Sequence, residues 1–136
     1  MFVYHHLVMA LFGLLGVRKL GFRAHIINSF IGSSKLITCY LNYIIDPIKT
    51  KEFEHYAKLW IPLVNKFGGC HHGYFLPSEG ANNRALALFS FPSLATYEEY
   101  RIKSLSDVEC IRAFKYAEET QCILNYERSF FRPVFE

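Results

Sequence analysis

The first regular pattern along the chain is the alternation of side chains in KLITCYLNYII, residues 35–45. Leu41 and Tyr43 alternate with Tyr40 and Ile44, and a period of two residues predicts a β-strand. Apolar or aromatic residues occur at both parities of this segment. We therefore expect that neither face of the strand is built for contact with water.

Helical spacing replaces this alternation after Asp46-Pro47. Six residues recur at i, i+3, i+4, i+7, i+8 and i+11 and predict one amphipathic helix: Phe53, Tyr56, Ala57, Trp60, Ile61 and Val64. Asp46-Pro47 is a suitable N-cap and first helical residue, and Thr50 is a second candidate for the cap. Gly68-Gly69 ends the pattern. Pro62 removes a backbone donor and predicts a kink or a broken turn over residues 58–62.

Strand patterns return in the second half of the chain. Two predicted strands, Cys70 to Leu76 and Arg84 to Phe91, are separated by the polar segment Pro77 to Asn83, which is longer than a two-residue hairpin requires. A lid at the rim of a cavity and a wide turn are both consistent with this loop. A last strand, Cys122 to Phe131, runs into Arg132-Pro133.

Two helix starts lie close together between the third and the fourth predicted strand. Thr96-x-x-Glu99 and Ser106-x-x-Glu109 both fit the capping-box pattern, and Ser93 is an equally good cap for the first helix. The sequence therefore predicts a second helix in two pieces.

The order of elements is βαββαβ, which predicts an α+β, ferredoxin-like fold with an antiparallel four-stranded sheet and its helices on one face. One domain, residues 35–136, contains all these elements, and residues 1–34 form an N-terminal extension. The face without helices would expose more apolar area than monomers commonly tolerate. A second copy of the chain is the simplest cover, so we expect a homodimer.

Charge and cysteine usage exclude some classes of function. The extension supplies three of the 15 Lys and Arg residues, which leaves 12 against the 12 Asp and Glu of residues 35–136. This balance argues against nucleic-acid binding, and four basic residues among acids are interpreted as solvated surface: Arg112, Lys115, Arg128 and Arg132. The four cysteines form no C-x-x-C pair, so we expect free thiols in a reducing compartment: Cys39, Cys70, Cys110 and Cys122.

The extension has two interpretations. Its uncharged run, Leu7 to Val17, has eleven residues, whereas a membrane-spanning helix needs about 20, so no stable membrane span is expected. The extension contains Arg, Lys and Ser but no acid, a composition typical of an organelle transit peptide, and predicts a mitochondrial location if the chain is eukaryotic. The other interpretation is a start-site artefact in front of a cytoplasmic protein.

The segment from Cys39 to Arg101, which includes HHGYFLPSEGANN and FSFPSLATYEEYR, resembles the NIPSNAP family together with CILNYERSFFRPV near the end. The resemblance covers nearly all of residues 35–136 and implies a dimeric α/β barrel, in which the sheets of two ferredoxin-like protomers face each other. It implies unassigned biochemistry for bacterial members and links to mitochondria and protein interaction for eukaryotic members. Family members often carry an arginine two residues before the tyrosine that matches Tyr43. Leu41 stands there in this chain, so we expect that a pocket charge is absent.

Adjacent histidines in the second predicted strand provide the candidate chemistry. His71 and His72 would point to opposite faces and so cannot form a two-histidine metal clip. Either could lie beside Tyr74 as a general base or ligand contact, and a core or interface histidine is the alternative. The cavity or ligand candidates are His71, His72, Tyr74, Glu79, Tyr43 and Trp60. No motif indicates a catalytic residue, a metal site or a cofactor.

Two classes of function are consistent with these features. The first is a homodimeric binding module that recognises a small molecule or a protein partner without turning it over. The second, which rests on fold analogy, is a cofactor-independent, monooxygenase-like enzyme acting on a small aromatic or polyketide-like substrate between sheet and helices. A cavity filled by side chains favours the first class, and an open cavity with a histidine, Tyr74 and Glu79 within reach of one another favours the second.

Overall fold

The computed structural model describes residues 36–135, which form one antiparallel sheet and three helices. The strands are β1 (Ile37–Ile45), β2 (Cys70–Phe75), β3 (Arg84–Phe91) and β4 (Ile123–Phe131). The helices are α1 (Thr50–Lys66), α2 (Leu94–Ser104) and α3 (Val108–Thr120). The strand order is β2-β3-β1-β4. The α+β, ferredoxin-like fold with the second helix in two pieces is thus confirmed.

Alternation along the strands divides the sheet into an inner face, which the helices cover, and an outer face. On β1 the inner residues are buried, namely Cys39, Leu41, Tyr43 and Ile45. The residues between them are half-buried. The register of the sheet assigns eight large or polar side chains to the outer face: Thr38, Tyr40, Asn42, Ile44, Phe75, Leu86, Leu88 and Phe131.

Helix α1 is preceded by a short 3-10 turn, Pro47–Lys49. Asp46 caps this turn, since its Oδ1 accepts a hydrogen bond from the backbone N–H of Ile48 at 3.1 Å. Asp46-Pro47 therefore begins the 3-10 turn rather than α1, and Thr50 is the first residue of α1.

The helix continues through Pro62 to Lys66, so the broken turn does not occur. Proline leaves the carbonyl of residue i−4, here Lys58, without its usual donor. Pro62 and Lys58 are both exposed, so water can satisfy that carbonyl.

Gly69 lets the chain leave α1 close to β3. A Cβ atom at this position would lie 2.7 Å from side-chain atoms of both Phe91 and Val64. Carbon atoms do not approach this closely without displacement of their neighbours. The absence of a side chain at Gly69 therefore allows α1 and β3 to pack at their observed separation.

The caps of α2 and α3 differ in part from the predicted ones. The backbone N–H of Thr96 donates to Ser93 Oγ at 3.2 Å, and the Ser93 N–H donates to Thr96 Oγ1 at 3.0 Å. Ser93 is thus the cap of α2, and Thr96 is its capping-box partner. Asp107 rather than Ser106 caps α3, because its Oδ1 accepts bonds from the N–H groups of Glu109 and Cys110 at 3.1 and 3.0 Å. Asp107 also forms an ion pair with a lysine of α1, which Ser106 could not do.

The predictions for residues 1–34 lie outside the described residues. Between residues 36 and 135, no helix has both the length and the apolar composition needed to cross a bilayer. The two interpretations of the extension stay predictions.

We predict that Asp107→Ala lowers the free energy of unfolding by about 1–2 kcal/mol, because it removes the α3 cap and the ion pair with Lys66. The Nζ–Oδ2 distance of that pair is 2.5 Å. Ser106→Ala is the matched control and should change stability by less than about 0.5 kcal/mol. Asp107→Asn keeps a capping oxygen and should give an intermediate loss. Urea unfolding measures all three variants, and equal losses for Asp107→Ala and Ser106→Ala would contradict the cap assignment.

Candidate functional site

A cavity of about 30 Å³ lies between the inner face of the sheet and the helices. Its wall is mostly aromatic and includes five tyrosines: Tyr43, Tyr56, Tyr74, Tyr97 and Tyr100. Trp60, Arg101, Ser104 and Arg128 add polar groups to the same wall. A volume of this size holds roughly two water molecules, whereas pockets for drug-sized ligands measure about 300–1,000 Å³. In this conformation the cavity therefore has room only for a small functional group.

Arg128 reaches the cavity from β4. It pairs with Leu41 across the β1–β4 ladder, and paired residues point to the same face. The charge that was expected to be absent at position 41 is thus supplied by the neighbouring strand. The interpretation of Arg128 as solvated surface is wrong. The alternation of side chains along β4 was the available signal. Arg128 lies two positions from Tyr126 and two from Phe130, so it shares a face with two aromatic residues.

The Arg128 guanidinium keeps its charge in this aromatic setting. Burial acts to lower its pKa, but the combined effect of Tyr97, Cys39, Tyr126 and Tyr43 raises the pKa above its ordinary value. Its Cζ atom also lies 5.8 Å from the ring centroid of Tyr126, within the range of a cation–π contact. A permanent positive charge therefore lines the cavity.

Arg101 on α2 is the second basic residue of the wall, and sequence reasoning did not single it out. Its Nη1 donates a hydrogen bond to the hydroxyl of Tyr97 at 3.2 Å. The Ser104 hydroxyl donates to the carbonyl oxygen of Arg101 at 2.8 Å. The four-residue spacing of Tyr97 and Arg101 places both on one face of the helix, but nothing in the sequence says that this face meets the cavity.

The structure brings three of the six predicted site residues into the wall of the cavity: Tyr43, Trp60 and Tyr74. His71 lies beside them, with its ring stacked on Tyr74 at a centroid distance of 4.9 Å. Glu79 is exposed in the loop between β2 and β3 and does not line this cavity.

His72 lies on the outer face. Its Nε2 is 2.7 Å from Ser90 Oγ, which is in turn 2.8 Å from Thr38 Oγ1. The two histidines therefore contact opposite faces of β2, around a bulge between His71 and Gly73. Among residues 36–135, no three His, Cys, Asp or Glu side chains lie close enough together to hold a metal ion.

His71 is held as a neutral ring. Its Nδ1 accepts a hydrogen bond from the backbone N–H of Gly73 at 2.9 Å, which leaves the proton on Nε2. Burial, and then the charge of His72, lower its pKa to about 4. An imidazole with this pKa is a weak base at neutral pH, far from the value that favours general-base catalysis.

The hydroxyl and thiol groups near the cavity also stay protonated. Burial raises the pKa of Tyr43, Tyr56, Tyr74 and Tyr100. It raises the pKa of the Cys39 thiol to about 11, in spite of Arg128 and Arg101. The site is thus a set of neutral and cationic hydrogen-bond donors rather than a nucleophile with its base.

A ferredoxin-like protomer with a small cavity between sheet and helices defines the fold class of this chain. The family model NIPSNAP matches residues 40–135. The chain therefore belongs to the NIPSNAP family, as the resemblance implied. No curated protein matches the chain.

Solved structures support the assignment of the fold. A NIPSNAP family protein of unknown function from Agrobacterium tumefaciens has 17% identity and a TM-score of 0.63, covering 73% of this chain and 88% of that chain. A second NIPSNAP family protein from the same organism has 22% identity and a TM-score of 0.61, covering 73% and 93%. A proposed antibiotic biosynthesis monooxygenase from Nitrosomonas europaea has 6% identity and a TM-score of 0.58, covering 73% and 99%. At these identities the likeness shows the fold alone.

We predict that His71 makes the protein less stable as the pH falls from 7 to 5. Its pKa is about 4 in the folded chain against 6.5 when unperturbed, so the unfolded state binds more protons between these values and stability rises with pH. Over this interval the wild type should lose about 1–2 kcal/mol more than His71→Asn, whose amide oxygen can still accept the Gly73 bond.

Urea unfolding at the two pH values measures the difference. His55→Asn, at an exposed position on α1, is the control and should keep the pH dependence of the wild type. If the wild type and His71→Asn lost the same unfolding free energy between pH 7 and pH 5, the folded state would not suppress protonation of His71.

Proposed function

We propose that this NIPSNAP-family chain is a homodimeric binding module, which recognises a small molecule or a protein partner without turning it over. The observation that carries the proposal is the small free volume of the cavity, about 30 Å³. Five tyrosine rings and Trp60 occupy the region in which a substrate-sized pocket would have to lie. The cavity is smaller than the usual ligand pocket by about a factor of ten.

The protonation states support binding over catalysis. His71 is neutral but weakly basic, and the tyrosines beside it stay protonated because burial raises their pKa. The grouping of a histidine, Tyr74 and Glu79, which would have favoured the monooxygenase-like alternative, does not form: Glu79 is exposed in its loop. That alternative has the support of shared fold with a proposed monooxygenase, which is weak evidence for a reaction.

The outer face of the sheet supports the homodimer. Its central side chains are large and apolar, and they include Tyr40, Ile44, Leu86 and Leu88, all half-buried within one chain. A second copy would cover these apolar side chains.

The thiols support a reducing compartment such as the cytoplasm. The four cysteines of residues 36–135 are free. Three of them are buried and one is half-buried, so none depends on a disulfide for its place in the core.

We predict that the full chain is a dimer in solution, with a mass twice the 15.8 kDa of one chain. Leu88→Glu places a carboxylate in the middle of the outer face and should give a folded monomer, because an unpaired charge is costly to bury. Ile111→Glu makes the same exchange at an exposed position of α3 and should stay dimeric. Light scattering coupled to size exclusion measures the masses, and a monomeric wild type would contradict the dimer.

We predict that the protein does not consume oxygen with a polycyclic phenol of the kind that cofactor-independent monooxygenases accept. The control is Tyr74→Phe, which removes a hydroxyl from the cavity wall and keeps the ring. Oxygen uptake by the wild type should be no greater than oxygen uptake by this variant. An uptake that is present in the wild type and lost in Tyr74→Phe would overturn the binding module in favour of the enzyme.

A further inference from the structure

The cavity wall is chemically one-sided. Two cationic side chains, Arg101 and Arg128, enter it from α2 and β4, and the lining residues in the described part of the chain include no carboxylate. The other polar groups of the wall are neutral. Such a wall creates a positive potential in a space lined mostly by aromatic rings, where charges interact more strongly than in bulk water.

Trp60 lies in the same wall and can report on an occupant of the cavity. Its side chain is only 5% exposed, and within residues 36–135 its Nε1–H has no hydrogen-bond partner. Phe114 and Tyr56 pack on the ring at centroid distances of 4.8 and 6.2 Å and hold it in place. The indole ring is thus a fixed part of the wall, and its N–H makes no bond within the described residues that would mask a change in the cavity.

We propose that this cavity binds a carboxylate group, with the guanidinium groups of Arg128 and Arg101 as its donors. The proposal deepens the binding function proposed above and rests on it. A carboxylate offers two acceptor oxygens and one negative charge, which match two cationic donors. The cavity of about 30 Å³ has room for about the three heavy atoms of formate. The same group could belong to a free small acid or to the end of a longer molecule.

The single tryptophan of the sequence makes a direct test available. In the full chain labelled with ¹⁵N, one indole N–H signal is assigned to Trp60 without further work. Titration with sodium formate at constant ionic strength should shift this signal in a saturable way. Formamide has the same size without the charge and should leave the signal in place, and sodium chloride should shift it less than formate.

Variants of the arginine test the role of charge. Arg128→Gln should weaken formate binding at least tenfold, because it removes a charge-assisted hydrogen bond. Arg128→Lys keeps the charge without the planar fork and should bind with intermediate affinity. Arg112→Gln, at an exposed position of α3, is the matched control and should bind as the wild type does.

The outcomes separate this proposal from the one on which it rests. A saturable shift with formate but not with formamide supports the carboxylate site even if Arg128→Gln fails to fold. Tighter binding of butyrate than of formate would assign the group to a longer molecule, and the reverse order to a free small acid. No shift, or equal shifts with formate, formamide and chloride, would overturn the carboxylate site, whereas the binding module itself fails only on oxygen turnover or a monomeric mass.

Discussion

The pairing of β1 with strands on both sides sets the geometry of the whole domain. β1 lies between β3 and β4 and keeps a regular register with β3 along its length. Because side chains alternate along a strand, this register sends Leu41, Ala87 and Arg128 to the same face. A slip by one residue would move Arg128 to the outer face and an outer residue into the core. The position of Arg128 in the cavity wall is thus set by the backbone hydrogen bonds that fix the strand register.

The helices can cover only one side of such a sheet, and the two faces consequently meet different demands. The inner face is filled by rings in contact, such as Tyr43 with Phe53 and Phe89 with Tyr97, at centroid distances of 5.1 and 6.4 Å. Burial of so many phenol rings keeps their hydroxyls protonated, which suits recognition by hydrogen bonding better than acid–base chemistry. The outer face is less well covered within one chain, and this difference is the physical basis of the proposed homodimer.

Local signals in the sequence predicted the elements well and their ends less well. Period-two and helical spacings identified all four strands and the divided second helix, because each pattern states which side of an element is apolar. The caps were harder, since Ser106 and Asp107 are adjacent and both suitable. Asp107 is the cap, and Lys66, distant in sequence, forms an ion pair with it in the fold. The uninterrupted helix at Pro62 likewise depends on which side of α1 meets water.

The sequence by itself determined the family, the βαββαβ order and the opposite orientations of His71 and His72, because these follow from residue types and from spacings within one element. Only the tertiary structure decided that Arg128 and Arg101 meet Trp60 in one cavity and that Glu79 does not. These residues come from β4, α2, α1 and the loop before β3, and their distances depend on strand register and helix packing. The alternation of a single strand says that Arg128 shares a face with Tyr126, but which of its two faces is covered is decided by the rest of the fold.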